Sequence, residues 1–246
     1  MKVEELISFR LKGDYALFKK PWCNREQQSF LVPTKTALTG MIGGIIGLKK
    51  DEYLEKLPPD DIKVGIRLEK KITKELHGYN FLQSENLASQ TRNFSNPLRS
   101  PTGKGSRSPN RLEMLKNPSY RIFVHLGQEN LFNQLHNYLE SGKCVFPPFL
   151  GQVNLFANIT ETKKEKVKRK KLDSVSTIAP AETVKPLKMR GEIYRERIPV
   201  RMQPDRSKPE FLPVAFKNNE SPSIPVDSSD EFFFGETENG EQISLF

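Results

Sequence analysis

Hydrophobic and polar positions alternate from the start of the chain. In "EELISFRLK", Ile7, Phe9 and Leu11 fall on one side and Ser8, Arg10 and Lys12 on the other, so residues 3–12 predict a half-buried β-strand. The period changes in "PTKTALTGMIGGIIGL", where Thr34 is placed as an N-cap behind Pro33 and a helix is predicted to begin. Gly40, Gly43, Gly44 and Gly47 interrupt its apolar run. Each glycine costs about 1 kcal/mol against alanine in a helix, so the cluster predicts close packing of this helix on a sheet. The glycines match neither GxGxxG nor GxxxxGK[ST] and do not predict a phosphate loop, although the helix N-terminus, with Lys35 in its first turn, is suited to a phosphate. Alternation returns in "DIKVGIRLEKKI", a second strand with Ile62, Val64, Ile66 and Leu68 inward. Tyr120–Leu126 predicts a third strand. "QENLFNQLHNYLE" places Leu131, Leu135 and Leu139 at helical spacing. "FPPFLGQVNLFANIT" reads as a turn and then a fourth strand. The order predicts an α+β fold over residues 1–160, a ferredoxin-like, RRM-type βαββαβ domain with a long insertion between its second and third strands.

The insertion carries the first chemical signal. From Ala88 to Leu112 there is no Asp or Glu, while Arg92, Arg99, Lys104, Arg107 and Arg111 recur among Ser, Asn, Pro and Gly. Joined at both ends to strands that would be sheet neighbours, it predicts an arm rather than a simple loop. Excluding carboxylates suits contact with a polyanion, because each one would repel phosphate and forfeit counterion release. A second signal lies in "GDYALFKKPWCNREQQSFLVP", where Phe18, Lys19, Lys20, Trp22 and Arg25 gather on one loop. Cations interleaved with flat rings suit the phosphates and bases of single-stranded nucleic acid. The same composition also suits aromatics that plug the core beneath solvated lysines.

Beyond Ile159 the pattern weakens. "KKEKVKRKK" predicts a solvated basic loop over residues 161–172, and 173–217 an irregular β-rich extension rich in proline. Residues 218–246 form an acidic tail without Lys or Arg, with a hairpin predicted around Asn239–Gly240.

Composition adds a bias toward anionic partners: 246 residues, a net charge of +9 and a pI near 9.4. Cys23 and Cys144 have no metal-ligand spacing, so neither a metal nor a cofactor is expected. The early glutamates do not suit a signal peptide, and the longest apolar run, Ala37–Leu48, is too short to span a bilayer. A cytoplasmic protein without membrane contact is expected.

The stretch "DYALFKKPWCNREQQSFLVPTKTALTGMIGGIIGL" resembles the N-terminal signature of the Cas-five family of CRISPR-associated proteins, in a form similar to type I-B systems. "SENLASQTRNFSNPLRSP", "YRIFVHL" and "FPPFLGQ" follow in the matching order. The resemblance implies a fold of the RAMP superfamily with a β-hairpin thumb at residues 76–118. It implies a non-catalytic subunit of the Cascade effector complex in antiviral defence, one that caps the crRNA 5′ handle, contacts the large subunit and a backbone subunit, and meets target DNA through the complex. Lys19, Lys20, Arg25, Lys35 and the thumb residues Arg92, Arg99, Lys104, Arg107 and Arg111 would hold phosphates, with Phe18 and Trp22 stacking bases. One branch of the family, in type I-C systems, processes CRISPR repeat RNA as a metal-independent endoribonuclease and is associated with an adjacent Lys-His pair. Here the histidines stand in Leu76-His77-Gly78, Val124-His125-Leu126 and Leu135-His136-Asn137, so the pair is absent and His77, at the foot of the arm, is the alternative's candidate.

Overall fold

A computed structural model describes residues 3–23, 26–82, 107–185, 192–219 and 222–246. The alternating segments become β1 (Glu5–Lys12), β2 (Ile62–Leu68) and β5 (Ser119–Leu126), and the helical ones α1 (Lys35–Ile45) and α2 (Glu129–Glu140). Thr34 caps α1, its Oγ1 accepting the Ala37 N–H at 3.1 Å. With β6 (Asn158–Arg169), β9 (Phe233–Thr237) and β10 (Gln242–Leu245), these strands form an antiparallel sheet in the order β10-β9-β6-β1-β5-β2. Both helices cover one face. Ile7, Phe9, Ile66, Ile122 and Val124 pack there with Leu38, Ile42, Phe132 and Leu135 in the main core. Each such side chain contributes about 1.5–3 kcal/mol by leaving water, which makes this layer the main source of stability.

The glycines of α1 serve a different neighbour from the one predicted. Gly43 lies against Tyr53, where a Cβ would stand 2.9 Å from the tyrosine Cβ, and Gly44 faces Phe146. The large apolar residues of α1 meet the sheet, and its glycine side admits the chain on the outer flank.

The basic run 161–172, expected as a loop, is mostly strand: Lys163–Arg169 complete β6. The alternation was concealed because one inward position is a carboxylate. Glu165 and Val167 are buried while Lys164, Lys166 and Lys168 are exposed. Glu165 is satisfied by the Ser8 hydroxyl and by Asn239 Nδ2 at 2.6 Å, so a buried charge stands where a sequence pattern requires an apolar residue. In the stretch read as a turn and then a fourth strand, residues 146–160, the part from Phe146 to Ala157 is irregular, with one bridge between Phe149 and Phe156, and the strand, β6, begins only at Asn158.

The acidic segment extends the same sheet. β9 and β10 flank the predicted Asn239–Gly240 turn, and Ile243 and Leu245 join Leu6, Phe123 and Val167 in a second core on the face opposite the helices. Phe246 exchanges two backbone hydrogen bonds with Val64, each 3.1 Å, bringing the end of the described chain back to β2. A smaller sheet of Ala179–Pro180, β8 (Glu210–Phe216) and β7 (Tyr194–Arg201) packs Ile198, Val214 and Phe216 into the main core.

The segment expected to project as an arm is flanked in sequence by two paired antiparallel strands. β3 (Thr73–Leu82) and β4 (Arg107–Lys116) pair from Thr73↔Lys116 to Leu82↔Arg107. Tyr15–Ala16 and Glu26–Gln27 pair with β4 on its other edge and fasten its base. Arg25, Arg92, Arg99 and Lys104 lie outside the described residues, and of Arg107 only the backbone is described.

Candidate nucleic-acid interface

The aromatic–basic loop is held by a short ladder in which Phe18 pairs with Phe30 and Lys19 with Ser29. Strand alternation then divides its side chains. Phe18 turns inward, is 4% exposed and meets Tyr120 edge-on at 6.3 Å. It belongs to the core, which corrects its assignment as a base-stacking residue. Tyr120 donates to Leu31 O at 2.7 Å, and burial, with Glu196 nearby, pushes its hydroxyl well above the ordinary phenol range.

Lys20 is also committed. Its ammonium lies 3.4 Å from Glu196 and 5.5 Å from the centre of the Phe30 ring, and Glu196 accepts the Leu31 N–H at 3.1 Å. Lys19, on the opposite side of the strand, is exposed. Trp22 is 58% exposed, its ring braced edge-on by Phe30 at 5.8 Å and by Phe211 at 6.1 Å. Among the described cations and aromatic rings of the loop, Lys19 and Trp22 are therefore the pair that faces solvent.

Lys35 requires a correction too. Its side chain is folded under α1, 5% exposed, and Nζ donates to Pro59 O at 3.0 Å. Burial, reinforced by Lys63 and Arg201 and opposed by Asp60, lowers its pKa to about 7. It is a structural residue and presents nothing to a phosphate.

On the arm, Arg111 is open, with 71% of its side chain exposed and Glu26 at 3.7 Å. At the arm's foot Glu75 gathers three groups. Lys116 Nζ donates to it at 2.5 Å, Tyr15 donates at 3.2 Å, and His77 Nε2 stands 3.6 Å away with its ring edge-on to Tyr15. The bond from Lys116 holds the Glu75 carboxyl below its usual range. At 3.6 Å the histidine is beyond hydrogen-bonding reach, and its buried Nε2 has no hydrogen-bond partner among the described residues. The other histidines are structural: His125 Nδ1 contacts Glu5 O at 2.7 Å, with burial lowering its pKa, and His136 lies 3.8 Å from Glu140 on α2.

Two features escaped sequence reasoning. The first is a row of arginines across the sheet face opposite the helices: Arg10 pairs with Arg121, and Arg121 with Arg67. Such a row suggests a phosphate surface, but carboxylates occupy it. Glu69 receives Arg10 Nε at 2.5 Å, Arg121 Nε at 3.2 Å and Ser119 Oγ at 3.1 Å. Glu161 bridges Arg10 and Arg121, and Glu241 lies 2.9 Å from Arg67. Glu161 reaches this position from a bulge in β6, with φ at +54°. Burial opposes ionisation of Glu69, and the Arg10 and Arg121 guanidiniums overcome it, holding the carboxyl below its ordinary value. Only strand register reveals that these six charged residues converge.

The second is a cleft of about 360 Å³ between the N-terminus of α1, the Lys19–Pro21 segment, Gly151–Gln152 and the 199–211 region. Its floor depends on Gly151, which has φ +93° and passes so close to Leu17 that a Cβ would lie 1.9 Å from the leucine carbonyl oxygen. The Leu17 N–H donates to Leu150 O at 3.0 Å, fixing that approach. The "FLGQ" stretch thus builds the floor of a cleft. In that stretch and on either side of it in the chain, Val145, Phe146, Phe149, Val153 and Phe156 are exposed apolar residues. Among the described residues there is no group of three His, Cys, Asp or Glu positioned for a metal, and no helix is long and apolar enough to cross a membrane.

Comparison with known proteins places this geometry. The family model described as CRISPR-associated protein (Cas_Cas5) matches residues 6–239. No curated protein matches the chain. Among solved structures, a CRISPR protein from Archaeoglobus fulgidus aligns over 98% of both chains with a TM-score of 0.54 at 13% identity. A chain of a CRISPR RNA-guided surveillance complex aligns over 92% of both at 0.48 and 9% identity. A further CRISPR-associated protein covers 94% of this chain and 97% of its own at 0.47 and 16% identity. With the family model spanning nearly the whole sequence, the chain belongs to the Cas5 family of CRISPR-associated proteins.

Proposed function

We propose that this protein is a non-catalytic, RNA-binding subunit of a type I CRISPR effector complex, I-B-like, that holds the 5′ handle of the crRNA. The observation that carries this reading is the pairing of an exposed cation and ring, Lys19 and Trp22, with two antiparallel strands, β3 and β4, that flank an acid-free basic segment in a Cas5-family chain. Lys19 and Arg111, with Arg92, Arg99, Lys104 and Arg107 of the arm, would meet phosphates, and Trp22 would stack a base. The strand order β6-β1-β5-β2, with α1 after β1 and α2 after β5, supports a ferredoxin-like βαββαβ core of the RAMP type. The exposed apolar residues between Val145 and Phe156 are where a neighbouring large or backbone subunit would rest. Target DNA would be met through the assembled complex.

Two measurements test the reading. The tagged chain should copurify with larger protein subunits and a discrete RNA of constant 5′ end; its purification alone, or with RNA of scattered ends, would refute it. Affinity for single-stranded RNA should fall with salt by about 0.7 log units per contacted phosphate. A second reading, metal-independent cleavage of repeat RNA, draws on His77 standing beside Glu75, Lys116 and Tyr15. Incubation with repeat RNA in EDTA separates the two: a structural subunit leaves the RNA intact, whereas cleavage that disappears in His77→Ala establishes the enzyme.

A further inference from the structure

We propose that the cleft beneath the aromatic loop is a slot for one unstacked nucleobase of a single-stranded RNA, with Trp22 stacking an adjoining base at its mouth. The proposal rests on the RNA-binding reading above and adds where a base is read. Three observations carry it, and they concern shape, lining and charge.

The cleft is about 360 Å³, at the small end of the range for ligand sites. That suits a single ring system better than an extended peptide or a lipid chain. Pro21, Pro199, Met202 and Phe211 supply apolar walls, while Thr36 and Gln152 supply a hydroxyl and an amide. The Gln152 amide can donate and accept, and the Thr36 hydroxyl, which shares one hydrogen bond with Thr34 Oγ1 at 3.1 Å, keeps further hydrogen-bonding capacity, which is what reading a base edge requires. A site for a purely apolar side chain would have no use for them.

Charge selects the ligand class. Lys19, Arg197 and Lys208 are exposed in or beside the elements that line the cleft, and among the described residues no carboxylate forms an ion pair with any of them. Arg197 is held 5.9 Å from the centre of the Phe211 ring, which places one cation against a cleft wall. Phe211 also braces Trp22, so the slot and the exposed indole share a side chain and are fixed relative to each other. A nucleotide uses all of these groups together: its base enters the slot, its phosphate meets the cations, and the next base finds Trp22. An apolar peptide would leave the cations unused.

The test is an abasic scan with the full chain. A fluorescein-labelled 12-nucleotide RNA of mixed sequence is compared with versions lacking one base at each position in turn. We expect adjacent positions at which base removal weakens binding about tenfold, within the range for base–aromatic contacts. Met202→Trp, which fills the slot, should abolish the effect at one of them, and Trp22→Ala the effect at the other. Binding that falls with salt but is indifferent to every abasic position would overturn the slot and leave the RNA-binding reading standing. Sensitivity that persists unchanged in Met202→Trp would also overturn it. No binding of the intact RNA by the wild-type chain would overturn both. Because the scan uses the wild-type protein, the outcome holds even if a variant fails to fold.

Discussion

Lys35 offers a sharp test, because its buried position and its sequence-based assignment predict opposite behaviour. In the folded chain its ammonium loses hydration beneath α1 and its pKa falls from 10.5 to about 7. Below pH 7 the lysine is charged in both states, and the folded state bears the full cost of holding that charge. Between pH 7 and 10.5 the unfolded chain binds a proton that the folded chain has released, so stability rises with pH. Each pH unit in this window is worth about 1.4 kcal/mol, and the whole window is on the order of 5 kcal/mol. From pH 7 to 9 the expected gain is therefore roughly 2–3 kcal/mol. Lys35→Met preserves the volume and removes the proton, so it should flatten this part of the profile. Urea unfolding at pH 7, 8 and 9 measures the effect as the difference between wild-type and variant slopes, which cancels other titrating groups. RNA affinity should be the same in both. Parallel stability profiles, or a variant whose RNA binding falls, would refute the account of Lys35 as a buried structural lysine.

Other outcomes follow from the same contacts. Lys19→Ala should reduce the salt dependence of RNA binding by about 0.7, one phosphate's share, in a log–log plot of affinity against salt. Lys20→Ala should leave that slope unchanged and lower the unfolding midpoint, because it removes the partner of half-buried Glu196. Gly151→Ala should destabilise by roughly 3 kcal/mol or more in urea unfolding, since both its φ and its distance to Leu17 O exclude a side chain. Glu69→Gln should cost about 3 kcal/mol by removing the more buried of the two carboxylates, Glu69 and Glu161, that Arg10 and Arg121 share. In the wild type, the stability Glu69 contributes is present above the ordinary carboxylate range and is lost as pH falls through its lowered folded value; acid titration of wild type against Glu69→Gln measures this.

What the sequence disclosed was set by how each side chain meets its surroundings. β1, β2 and β5 were legible because apolar residues alternate on the helix face, at Ile7, Phe9 and Leu11, at Ile62, Val64, Ile66 and Leu68, and at Tyr120, Ile122, Val124 and Leu126. α2 was legible because Leu131, Leu135 and Leu139 mark one stripe, and the Asn239–Gly240 turn because its residues fit a tight reversal. β6 was hidden by Glu165, a buried carboxylate that only long-range partners make tolerable. The site was half legible. Composition located the loop that bears Lys19 and Trp22, but not which of its neighbours turn inward: Phe18 and Lys20 differ from Lys19 through strand alternation and through Glu196, far along the chain. Lys35 appeared free because a helix N-terminus says nothing about the turn at Pro59 that receives its ammonium. The arginine row and the cleft are products of register and of packing between distant segments, and no local pattern announces either one.

The central claim is that single-stranded RNA lies across the Lys19–Trp22 loop and the hairpin arm. Zero-length ultraviolet crosslinking of the copurified RNA, followed by peptide mapping, tests it most directly. The account predicts crosslinked peptides from residues 18–30 and from the arm between 73 and 116. Crosslinks confined to the arginine-lined sheet face or to the 233–246 hairpin, with the loop and the arm unmarked, would contradict it.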